Sequence, residues 1–160
     1  MEIIKDGRIV ANDWRHLADD EILPEQAVTV SLLRWKSEKD RLLACGVPIG
    51  LRLNSDNGLE DIADDLKHFA VIVLEFRHFT DGRSFSLARL LRERYGFDGE
   101  LRAHGDFIRD QIFFLARVGV NAFEPTHPAN LQEMLPVLQE FTVKYQAAVD
   151  VKEPLYRRRK

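Results

Sequence analysis

The sequence predicts an α/β fold in which an N-terminal β-hairpin precedes five βα units. The mainly parallel sheet is expected to curl like part of a (β/α) barrel rather than open as a doubly wound sheet. Three observations carry this reading. From residue 28 onward, apolar runs of strand length alternate five times with segments of helical period, and successive βα units demand a parallel sheet with right-handed crossovers. Charged residues recur inside those runs, and Arg52, Glu75, Arg102 and Glu124 alternate in sign if the strands are neighbours in chain order. Such charges can satisfy one another along the wall of a barrel, whereas in a reordered sheet the alternation would be coincidental. Finally, Asp6-Gly7 splits "IIKDGRIV" into two short apolar runs and supplies the positive φ angles of a tight hairpin turn.

The elements follow in order. Residues 1–11 are the hairpin. Residues 12–27, "NDWRHLADDEILPEQA", carry five acidic residues without sustained periodicity and read as a connecting loop with room for one helical turn. "VTVSLL" (28–33) is the first strand of the βα series. Ser37, with Asp40 three residues on, is the cap of a helix that runs to about Cys45 and stops at Gly46. "PIGLRL" (48–53) is the next strand, and Leu59, Ile62, Ala63 and Leu66 mark one face of the helix after it. "AVIVLEF" (70–76) is nearly continuous in apolar residues, as expected of a strand covered on both faces. Leu87, Leu90 and Leu91 give the apolar face of the third helix, Arg89, Arg92, Glu93 and Arg94 its polar face, and Gly96 its end. "ELRAH" (100–104) is a short strand. Asp106 caps "FIRDQIFFLARV", and Gly119 closes it. "NAFEP" (121–125) is the fifth strand. The last helix has Asn130 and Glu133 as a capping-box pair, and Pro136 kinks or restarts it. The series spans 28–150, and 151–160 form a basic tail ending in "EPLYRRRK", read as a solubilising end.

At 160 residues the chain suits a single domain, 1–160. A net charge of −3 gives no footprint for nucleic acid or an anionic membrane. No run approaches a membrane span, and nothing resembles a secretory leader, so a cytoplasmic protein is expected. The single cysteine, Cys45, excludes a disulfide framework and a four-cysteine cluster, and reads as a small core residue. An incomplete barrel leaves sheet edges whose simplest cover is a second copy, so a homodimer is expected.

In α/β folds ligands bind beyond the carboxyl ends of the strands. "FTDGRSFS" (79–86) lies there. Gly82 allows close backbone approach, the helix beginning near Ser84 offers free N–H groups, and Arg83, Ser84 and Ser86 add donors, with Asp81 to orient them. The bland reading is a turn set by Asp81 and Gly82, capped by Ser84, with Arg83 paired to a carboxylate. "AHGDFIRDQ" (103–111) repeats the pattern with Gly105, Asp106 and Arg109, so the expected rim for a small anion comprises both turns and Arg102. No nucleotide or dinucleotide loop is present. His78, His104 and His127 fall at strand ends on that rim, but without a close-spaced ligand pair no metal is assigned to them. If the protein is an enzyme, Glu75 or Glu124 is the natural acid/base.

Residues 76–125, through "FTDGR", "ARLLRER", "GELRA", "GD", "RDQ" and "AFE", resemble a bacterial family of unknown function. Its members are labelled oxidoreductases of sulfite reduction because they accompany the sulfite reductase hemoprotein in assimilatory sulfur pathways. Asp81, Gly82, Arg83, Arg102, Gly105, Asp106, Arg109, Asp110, Gln111 and Glu124 fall on its shared motifs, and the three rim histidines do not. The resemblance implies an accessory protein or partner of that hemoprotein. The chain has no flavin, nicotinamide, iron–sulfur or CxxC motif, so no cofactor is assigned, and redox chemistry would belong to a partner or an unrecognised cofactor. The alternative is a barrel-related enzyme acting on a small phosphorylated or carboxylated substrate.

Overall fold

The structure is a computed structural model and describes residues 1–78, 80–126, 131–139, 147–154 and 157. Its strands are β1 (Glu2–Lys5), β2 (Arg8–Ala11), β3 (Arg15–His16), β4 (Val28–Ser31), β5 (Ile49–Leu53), β6 (Val71–Phe76), β7 (Glu100–Gly105) and β8 (Ala122–Pro125). They form one sheet in the order β2-β1-β8-β7-β6-β5-β4-β3. From β3 to β8 the pairing is parallel and sequential, and the hairpin joins β8 antiparallel through Ile4 and Phe123. The sheet is a curled half-barrel, as the charge pattern predicts.

Helices α1 (Leu32–Ala44), α2 (Arg83–Glu93) and α3 (Arg109–Arg117) follow β4, β6 and β7, and α4 (Leu131–Met134) follows β8. They pack on one face of the sheet. Val30, Leu51, Leu53, Ile72, Leu74, Leu101, Ala103 and Phe123 meet Trp35, Leu42, Ala88, Leu91, Ile112 and Leu115 there in a single apolar core. Because side chains alternate along a strand, Thr29, Arg52, Val73, Glu75, Arg102, His104 and Glu124 occupy the opposite, inner face. Polar residues on that face are therefore dictated by the same two-residue period that builds the core.

Several elements depart from the sequence expectation. The first βα junction comes earlier, because Ser31 Oγ accepts from the Arg34 N–H at 3.0 Å and so ends the strand. Ser37 lies inside α1, its hydroxyl donating to the Arg34 carbonyl, and the next residue, Glu38, leaves helical geometry. The segment after β5 is a 3₁₀-helix (Glu60–His68) with no side-chain cap on its first turn, and its apolar pair Leu59 and Ile62 has the three-residue spacing that helix serves. Asp106 does not cap α3. Ile108 takes that place, its N–H donating to Gln111 Oε1, while the Asp106 N–H donates to the Phe76 carbonyl. Arg92 turns inward from α2 and donates to the carbonyls of Phe97, Gly99 and Gly119. The 12–27 loop contains β3, and buried Arg34 holds it by donating to the Ala18 and Glu21 carbonyls. The last helix breaks around Pro136 into α4 and a 3₁₀ segment, Leu135–Gln139. Asn130, His127 and residues 155, 156 and 158–160 of the basic tail lie outside the described residues. No helix among the described residues is long and apolar enough to cross a membrane.

At the end of β7, Gly105 has φ +121°, and a Cβ there would lie 2.2 Å from the Phe76 carbonyl oxygen. The substitution Gly105→Ala is therefore expected to cost about 2–4 kcal/mol through backbone strain and overpacking. Equilibrium urea unfolding reads this directly, and an unchanged midpoint would show that β7 does not need this close approach.

Candidate functional site

The inner-face charges are arranged in two rows. Arg52, Val73, Arg102 and Ala122 are register partners across β5 to β8. Two residues further along, Glu75, His104 and Glu124 form the next row. The sign alternation read from the sequence is thus a diagonal pairing of a cationic row with an anionic one. Arg52 Nε lies 3.3 Å from Glu75 Oε1, and Arg102 Nη1 donates to Glu124 Oε2 at 2.8 Å.

Arg102 is 1% exposed. Its Nε donates to Glu100 Oε1 at 2.7 Å and its Nη1 to Asn12 Oδ1 at 2.8 Å. Lys5 of the hairpin pairs with the other Glu100 oxygen. Asn12 in turn donates through Nδ2 to Glu124 Oε1 at 3.0 Å. His16, on β3, approaches that same oxygen through Nε2 at 3.0 Å, while its Nδ1 is 2.7 Å from Thr29 Oγ1. The His16 and His104 rings lie 4.5 Å apart. His104 Nδ1 is 3.7 Å from Glu124 Oε1, too far for a hydrogen bond, and is buried with no other hydrogen-bond partner among the described residues.

These surroundings fix the protonation states. Burial pushes the Glu124 carboxyl up, but the His16 hydrogen bond and charge, with Arg102, outweigh it and hold the group at about 2, down from its ordinary 4.5. Glu124 is therefore a permanent carboxylate near neutrality and a poor proton carrier. His104 is lowered from its ordinary 6.5, first by burial and then by His16, against the opposing pull of Glu124 and Glu75. Its imidazole is neutral at pH 7.

Two cavities meet at the carboxyl ends of the strands. One, of about 380 Å³, is lined by Ser31, Arg52, Asn54, Asn57, Glu75 and Arg77 among others. The other, of about 330 Å³, is lined by Glu75, Arg77, His104, Gly105 and Thr126 among others, so Glu75 and Arg77 border both. A larger cavity, about 550 Å³, opens instead between the hairpin and the Arg102–Glu100 pair. The strand-end pair holds the denser chemistry and occupies the place where α/β sheets present their sites.

The structure thus joins Glu75 and Glu124 to Arg52, Arg102 and His104. It treats the 80–86 turn differently. Arg83 donates through Nε and Nη2 to Asp81 and through Nη1 to Asp56, and Ser55 donates to Asp81. These bonds lower the Asp81 carboxyl and raise the Arg83 guanidinium. Ser84 is buried and Ser86 exposed. Gly82 has an ordinary φ of −78° and open space where a Cβ would stand. Arg109 turns to the Glu133 carbonyl and Asp110, and His78 lies exposed. Asn12 and His16 are the residues that sequence reasoning missed. The only signal was an asparagine, a tryptophan and a histidine crowded into "NDWRHL" at the start of an otherwise acidic loop.

A family model described as "Bacterial protein of unknown function (DUF934)" matches residues 50–156. Neither a curated protein nor a solved structure matches the chain.

Two outcomes follow from the buried charges. Arg102→Met should cost about 3–5 kcal/mol, because Glu124 is left buried without its cation. The double change with Glu124→Met should recover much of that loss, and an unfolding series that shows no recovery would refute the pairing. Acidification should act in two stages. Below pH 6.5 an unfolded His104 takes up a proton that the folded one resists, so stability falls as pH falls. Below 4.5 Glu124 must be protonated as well, with about 3 kcal/mol lost by pH 2. Unfolding free energies measured from pH 7 to 5 should decline in the wild type and flatten in His104→Gln. A flat wild-type curve would contradict the neutral, half-buried imidazole.

Proposed function

The chain belongs to a bacterial family of unknown function, and from that premise we propose that the strand-end mouth of its half-barrel binds a small anion, in an accessory role to assimilatory sulfite reduction. The observation that carries this reading is the convergence of Arg52, Glu75 and Arg77 in one concave mouth. Arg52 is already occupied by Glu75 and by the Thr29 and Leu17 carbonyls. The cation left to meet an anion is Arg77, which is exposed and has no ion pair among the described residues. Asn54 and Asn57 spend their side-chain oxygens on the local turn and keep their amide NH₂ groups as further donors. The sulfite association comes from the resemblance of residues 76–125, and it makes sulfite the first anion to test.

A second reading, an enzyme acting on a small phosphorylated or carboxylated substrate, is favoured by Glu75. Of the two acid/base candidates, Glu124 is held as a carboxylate by its partners, whereas Glu75 borders both cavities and is partly open to solvent.

A thermal-shift series against sulfite, sulfate, phosphate, small phosphosugars and simple carboxylates tests both readings. A true ligand at a hundredfold excess over its dissociation constant adds about 2.7 kcal/mol, a rise of about 5–10 °C for a domain of this size. The shift should vanish in Arg77→Ala and persist in Arg83→Ala. The reverse would move the site to the 79–86 turn, and no shift with any of these anions would overturn the proposal. Sulfite alone favours the accessory reading, and a phosphosugar or carboxylate favours the enzyme.

A further inference from the structure

We infer that His16, His104 and Glu124 form a binding site for a divalent transition-metal ion of the zinc–iron class. One donor atom from each of the three lies within 4.8 Å of the others. The Glu124 oxygen is 3.0 Å from His16 Nε2 and 3.7 Å from His104 Nδ1. Donors around a tetrahedral zinc at its usual bond lengths stand about 3.3 Å apart; these two separations bracket that edge, and the third, between the two imidazoles, is within 4.8 Å. Two imidazoles with one carboxylate suit zinc and ferrous iron and leave further coordination positions open.

The surroundings are those of a built site. His104 Nδ1 is a buried nitrogen without a hydrogen bond among the described residues, which otherwise carries an unexplained cost. His16 has Thr29 Oγ1 on its other nitrogen. A proton on Nδ1, where the hydroxyl accepts it, leaves the Nε2 lone pair for a metal. Glu124 keeps Arg102 on its second oxygen and Asn12 on the first, so metal binding exchanges only the His16 hydrogen bond. Lys5 and Arg102 balance Glu100 and Glu124, so the ion would bring an uncompensated double positive charge beside the strand-end mouth. The inference does not rest on the anion reading, since its ligands exclude both Arg77 and Glu75.

The test is equilibrium dialysis of the purified, metal-stripped full chain against zinc alone, with cobalt(II) absorption as a second readout. One ion per chain is expected, with a raised melting temperature. His16→Gln and His104→Gln should abolish stoichiometric binding and the zinc-dependent rise, and Thr29→Val should weaken binding by roughly 10–100-fold. Melting of each variant without metal shows whether it still folds. If the histidine variants do not fold, the cobalt spectrum of the wild type decides, because only a site with nitrogen and oxygen donors and no thiolate supports the assignment. No binding above background, binding unchanged in folded histidine variants, or a cobalt–thiolate band from Cys45 would each overturn it. Dialysis without any anion keeps this result separate from the Arg77 experiment.

Discussion

A guanidinium that is 1% exposed must be surrounded by acceptors, and the way Arg102 meets that requirement organises the inner half of the molecule. Its partners come from its own strand (Glu100), from β8 (Glu124) and from the segment after the hairpin (Asn12). Lys5 adds the hairpin itself through Glu100. One buried cation therefore ties the antiparallel hairpin to the parallel series at a point where the backbone register of β1 with β8 covers only two residue pairs. Packing on the helix-covered face gives the sheet its core, and the charge network on the other face decides how its two ends are joined.

The two glutamates of the anionic row show how neighbours on one sheet acquire different chemistry. Glu124 is enclosed by Arg102, Asn12 and His16 and stays charged far below neutrality. Glu75 is held by one arginine at longer distance and borders open cavities. His104 separates them in the register, neutral and with an unused nitrogen. Divergent environments for like groups are the usual mark of a site with divided roles.

How much of this was legible in the sequence depended on local period. The alternation of apolar and charged residues in "GLRL", "VLEF", "LRAH" and "AFEP" identified both the strands and the polar inner face, because charges inside strands demand partners. Sequential strand order followed from the same residues. The split into two rows did not, since register depends on loop geometry as well as pattern. Asn12 and His16 were invisible for a different reason. A two-residue strand has no periodicity to detect, and its place beside β4 is set by the remote Arg34 gripping the loop. At the 79–86 turn, the residue types suited an anion as well as an internal ion pair. Only the position of Asp56, 27 residues before Arg83, revealed what the guanidinium was holding.

The pairing of β1 with β8 has a consequence for how the protein is made. Chains emerge N-terminus first, at roughly 5–20 residues per second, so the hairpin, Asn12 and His16 exist well before Phe123 and Glu124. During that interval the βα units can assemble through short-range contacts, while the hairpin has no sheet to join and Arg102 lacks its Glu124 partner. Such long-separation contacts are the slow ones in folding. The inner-face cluster, with Asn12 and Glu124 separated by 112 positions, is thus completed only after β8 has been synthesised. A product truncated before β8 could carry much of the helix-covered core and the Arg52–Glu75–Arg77 mouth and still lack the Glu124 cluster, so that cluster reports the synthesis of β8.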